Sequence, residues 1–92
     1  MISNLPRMTH LQFALAQFIP LGGIWAVDLS DACGIAGPKF YQAIGRMINN
    51  GWIDQSMKPC HGTREGTWYK LTNKGQLEAQ RNTDFYTKHH NL

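Results

Sequence analysis

The chain has 92 residues, of which 42% are hydrophobic, 11% aromatic and 16% charged. That fits one small domain with an apolar core, is too apolar for a disordered chain, and leaves no room for a catalytic domain with its own substrate pocket. The net charge of +3 is mild, and no uncharged apolar run approaches the roughly 18 residues that a membrane span needs.

The opening residues Met1–Arg7 (MISNLPR) lack the charged-then-apolar design of an export signal, so the expected setting is a cytoplasm with Cys33 and Cys60 reduced. Thr9 is placed to cap a first helix running to about Ile19, where Pro20 and Gly22-Gly23 stop it. Met8, Leu11, Leu15, Phe18 and Ile19 share one face of that helix, whereas Phe13 falls on the opposite side. Ile24-Trp25 reads as a very short strand. Ala26–Cys33 reads as a two-turn helix ended by Gly34, a helix C′ glycine.

Gly37-Pro38 opens a third helix, with Pro38 near the first helical position, and Gly51 stops it after about Asn50. Phe40, Ile44, Met47 and Ile48 form its apolar stripe. Lys39, Gln42, Arg46 and Asn49 gather around the opposite pole, and that face carries two cations and two amides with no acid. Gly45 stands mid-helix at a cost of about 1 kcal/mol relative to Ala.

Trp52–Ser56 and Thr67–Leu71 are rich in β-formers and read as two strands of a hairpin. Met57–Gly66, with one Pro and two Gly, reads as its long cationic loop, with Lys58, His61 and Arg64 at the tip. Thr72 then caps a last helix, from about residue 73 to about residue 88. Its apolar residues are sparse, with Leu77 and Phe85 on one side and Ala79 and Tyr86 on another. From Ile35 to Lys74, Lys39, Arg46, Lys58, Arg64, Lys70 and Lys74 face only Asp54 and Glu65, so the middle of the chain is its cationic part. Cationic surface of that kind favours polyanions such as nucleic acid.

The order is helix, short strand, helix, turn, helix, strand, loop, strand, helix. It predicts an α+β winged helix-turn-helix, with the helix-turn-helix at about 26–50 and the wing at about 52–71. The run Leu29–Met47 (LSDACGIAGPKFYQAIGRM) resembles the helix-turn-helix of PadR-like and MarR-like winged-helix transcriptional regulators. Asn50-Gly51-Trp52-Ile53 is similar to their approach to the wing. Tyr69-Lys70-Leu71-Thr72-Asn73-Lys74-Gly75 resembles their aromatic–x–Leu–Thr–x–x–Gly exit from it. Tyr41 and Ala43 stand where the PadR-like group has its Tyr–x–Ala.

The resemblance implies a small bacterial or phage regulator, not an enzyme, that binds double-stranded DNA through its third helix in the major groove, most simply as a repressor. Lys39, Gln42, Arg46, Asn49 and Tyr41 are the expected recognition-helix contacts, and Lys58, His61 and Arg64 those of the wing. Ala32 is expected where the two helices of the motif cross closely. A two-fold dimer is expected on a palindromic site, with Phe13, Ala79, Phe85 and Tyr86 at its interface because they lie off the apolar stripes.

No cofactor is expected. Adjacent Cys60-His61, with no CxxC or HxxxH, argues against a structural metal. The competing reading is a protein-interaction module or phage adaptor on the same fold, favoured by the few bases on the third helix and by Asp28 and Asp31 on the second.

Overall fold

The structure, a computed structural model, describes residues 7–60 and 64–90, and of residues 60, 64 and 85–90 the backbone alone. The elements follow in the order α1 (His10–Gln17), β1 (Ile24–Trp25), α2 (Ala26–Cys33), α3 (Gly37–Asn49), β2 (Ile53–Cys60), β3 (Arg64–Leu71) and α4 (Asn73–His90). This is the α+β winged helix-turn-helix anticipated from the sequence.

Local chemistry sets the helix ends. The Thr9 hydroxyl accepts the Gln12 N–H at 3.2 Å, and the Gln12 side-chain oxygen accepts the Thr9 N–H at 3.0 Å. This reciprocal box satisfies two of the donors that every helix start leaves open. α2 ends on Gly34, whose φ of +72° lies in the left-handed region that a Cβ disfavours. The Ser30 hydroxyl donates to the Ile35 carbonyl at 2.6 Å and ties the turn before α3 back onto α2. α3 carries Pro38 in its first turn and buries Phe40, Ala43, Ile44 and Met47.

These four side chains meet Leu15, Ala16 and Ile19 from the α1 end, Leu29 from α2, Trp52 just before β2, and Ile53, Tyr69 and Leu71 from the sheet. The sheet is antiparallel in the order β1-β3-β2. Ile24 lies opposite Tyr69 and Trp25 opposite Trp68, so β1 clamps the base of the wing.

Several sequence expectations need correcting. α1 ends at Gln17, and Phe18 is 45% exposed, not part of the core. Phe13 does not point away from the core: it is half-buried and packs against it, as does Ala79 on α4. Ala32 is exposed, so it does not sit at a close crossing of α2 and α3.

The hairpin is longer than expected. Met57 to Cys60 pair with Thr67 to Arg64, leaving little of the anticipated loop. Pro59 is accommodated because β2 is an edge strand, where a missing N–H need not break a ladder.

The last helix, as sparse in apolar residues as expected, is anchored largely by polar ones. Leu77 is exposed, whereas Gly75, Glu78 and Asn82 are buried. Hydrogen bonds make that burial affordable. Glu78 accepts from the Met8 N–H at 3.3 Å, from Asn82 Nδ2 at 2.9 Å and from Arg81 at 3.1 Å. Among the described residues no helix is long and apolar enough to cross a membrane.

Candidate nucleic-acid interface

α3 presents Lys39, Gln42, Arg46 and Asn49 to solvent, all four exposed. The buried Phe40, Ala43, Ile44 and Met47 fix this orientation by anchoring the opposite side. Among the described residues neither Lys39 nor Arg46 pairs with an acid, whereas Arg81 does, with Glu78. Two unpaired cations and two amides, held on a helix whose rotation the core determines, suit recognition of a polyanion with donor and acceptor groups.

Tyr41 is 61% exposed, and its ring meets the buried Phe40 ring edge-on at 5.2 Å. It belongs to the surface, steadied from below by an aromatic contact. Behind it, burial, and second the nearby Tyr41 hydroxyl, push the Tyr69 phenol above its ordinary pKa of 10.0. Tyr69 is therefore a neutral structural group.

Of the wing residues, Lys58 is exposed, with its ammonium 4.7 Å from the centroid of the Trp68 ring. Trp68 in turn meets Trp25 edge-on at 5.1 Å. Cation–π contact and edge-on packing fix both the platform and the charge above it. The register explains the contact: Ser56 pairs with Trp68, and Lys58 lies two residues further along β2 on the same face. Trp68 was missed as a site residue because its partnership with Lys58 appears only once the strand register is known. Arg64 lies opposite Cys60 in the ladder. The Arg64 side chain, all of His61, and the side chains of Phe85 and Tyr86 lie outside the described residues.

Between α1 and α3 lies an open cleft of about 110 Å³, lined by Thr9, Leu11 and Gln12 on one side and by Lys39, Gln42 and Arg46 on the other. No carboxylate lines it. On α2, Asp28 is half-buried in the first turn and Asp31 is exposed. Among the described residues no three His, Cys, Asp or Glu side chains are grouped to hold a metal ion.

No protein-family model matches the sequence, and no curated protein matches it. Solved structures do match. A PadR-like transcription factor from Bacteroides fragilis superimposes with a TM-score of 0.73 over 88% of this chain and 84% of its own, at 15% identity. A protein from Streptococcus mutans superimposes with a TM-score of 0.79 over 92% and 85%, at 14% identity. Bacillus subtilis PadR, solved in complex with operator DNA, gives 0.67 over 80% of this chain at 18% identity, and the chain spans 46% of PadR's length. At such identities the likeness establishes the fold, which is the winged helix of PadR-like transcription factors.

Proposed function

We propose that this protein is a transcriptional regulator that binds double-stranded DNA, with α3 in the major groove and the β2–β3 wing on the flanking backbone. The observation that carries the reading is the exposed, acid-free face of Lys39, Gln42, Arg46 and Asn49 on the helix following the turn. It is supported by the fold shared with a PadR solved on operator DNA. In this reading Gln42 and Asn49 meet base edges, since side-chain amides pair bidentately with adenine N6 and N7. Lys58 on its Trp68 platform lies beside the backbone. The protein acts by occupying its operator, most simply as a repressor, without cofactor or reaction. One recognition helix with few bases calls for two copies on a palindromic site.

The test is fluorescence anisotropy with a random duplex of about 25 base pairs across a salt series. Binding that weakens by about 0.9 in log K per log salt for each phosphate neutralised is expected. No binding even at low salt overturns the reading and leaves the winged helix as a protein-docking module, the alternative that Asp28 and Asp31 on α2 favour.

A further inference from the structure

The cations of α3 do not stand on its outermost line. The buried residues Phe40, Ala43, Ile44 and Met47 define the inward pole. At 3.6 residues per turn, Gln42, Gly45 and Asn49 then lie within about 30° of the outward pole, Arg46 about 70° and Lys39 about 90° away on the flank toward α1. Being seven residues apart, Lys39 and Arg46 stand two turns from one another on that one flank, about 10 Å apart along the axis. Both are long enough to converge, and both line the cleft against Thr9, Leu11 and Gln12.

A helix with its side chains is about 10–12 Å across, and the major groove is about 12 Å wide. The outward pole of such a helix therefore meets the base edges, and its flanks meet the phosphate walls. The wall of the cleft contributed by α1 offers no competing charge. The Gln12 side-chain oxygen is already engaged by the Thr9 N–H, and no carboxylate lines the space.

We infer that the cleft between α1 and α3 seats one phosphate of the DNA backbone, held jointly by Lys39 and Arg46. The two cations position the duplex, and sequence reading falls to Gln42 and Asn49 at the outward pole. This rests on the DNA-binding reading above. It divides roles that a list of exposed residues on α3 leaves merged.

The experiment measures binding of the full chain to a random duplex of about 25 base pairs over a salt series, for the wild type, the Lys39→Ala/Arg46→Ala double variant and the Gln42→Ala/Asn49→Ala double variant. Both pairs are exposed, so thermal melting checks that each variant folds. A shared phosphate predicts that losing both cations flattens the log–log salt slope by about 0.9, the value of one phosphate. Loss of both amides leaves the slope unchanged. A fall of about 1.8 means two separate phosphates and overturns the shared seat. An unchanged slope in the cation variant, with steep wild-type binding intact, overturns the seat while DNA binding stands. A wild type that does not bind removes both.

Discussion

Gly75 packs directly against the backbone carbonyl of Trp52, close enough that a Cβ on residue 75 would collide with the Trp52 oxygen and lie 2.9 Å from its carbonyl carbon. That same oxygen accepts the Thr72 N–H at 3.0 Å, and the Thr72 hydroxyl accepts the Gly75 N–H at 2.9 Å while donating to the Gly51 carbonyl at 2.5 Å. The first turn of α4 is thus fastened to the segment leaving α3, and the wing is closed at its base. The Thr–x–x–Gly spacing seen in the sequence has a physical cause: the threonine caps the helix and bridges to Gly51, and the glycine lets the backbones touch.

Gly75→Ala therefore has no room without moving backbone. Overpacking at such a site costs about 1–3 kcal/mol. Urea denaturation followed by tryptophan fluorescence measures it. A stability within 0.5 kcal/mol of the wild type would mean that α4 shifts freely on the sheet.

Glu78 offers a second test, one turn further along the same buried face of α4. It is 5% exposed, and its carboxylate takes hydrogen bonds from the Met8 N–H, Asn82 and Arg81. Glu78→Ala leaves a buried N–H and a buried amide without this acceptor, a loss of about 1–3 kcal/mol. Glu78→Gln keeps one acceptor oxygen and should fall between. If chemical denaturation places the alanine variant at or above the glutamine variant, the carboxylate is not what holds α4 against the start of α1.

The sequence discloses most of this frame and little of how α4 is attached. The Ala26–Cys33 helix, its Gly34 stop and the apolar stripe of α3 are local signals, and the structure reproduces them. The wing's length was hidden because Pro59 reads as loop, whereas its place on the edge strand β2 tolerates the missing N–H. The buried face of α4 was hidden because periodicity counts apolar residues. Glu78 and Asn82 are buried through hydrogen bonds to partners as remote as Met8, while Leu77, the apolar candidate, is left in solvent. Of the candidate interface, the α3 face could be read from helical spacing alone. The α1 side of the cleft and the Trp68 platform depend on tertiary placement.

Tyr69 gives a pH signature. Its folded-state pKa is raised, first by burial and second by Tyr41, so the folded protein holds the phenolic proton more tightly than the unfolded chain does. The stabilisation is fully present below the unfolded value near 10.0 and is lost as pH rises through the folded value. Thermal melting should thus be insensitive to this group at neutral pH and fall above pH of about 10. Tyr69→Phe should melt with a shallower decline in that range. Parallel declines for the two proteins would show that the phenol ionises equally well in both states.

Gly45 separates what stability wants from what the interface wants. A Cβ placed there meets no atom within 4 Å, so Gly45→Ala fits the native backbone. Replacing a mid-helix glycine stabilises by about 0.4–1 kcal/mol, through the lower entropy of the unfolded chain and better helix propensity. Yet Gly45 lies near the outward pole between Gln42 and Asn49, where a bare backbone allows the closest approach of a groove floor. Gly45→Ala should therefore raise the urea midpoint while weakening duplex binding, the trade expected where a local rule is broken for function. A gain in stability with binding unchanged would show that the outward pole of α3 does not face the bases. The glycine would then mark a helix face turned away from DNA.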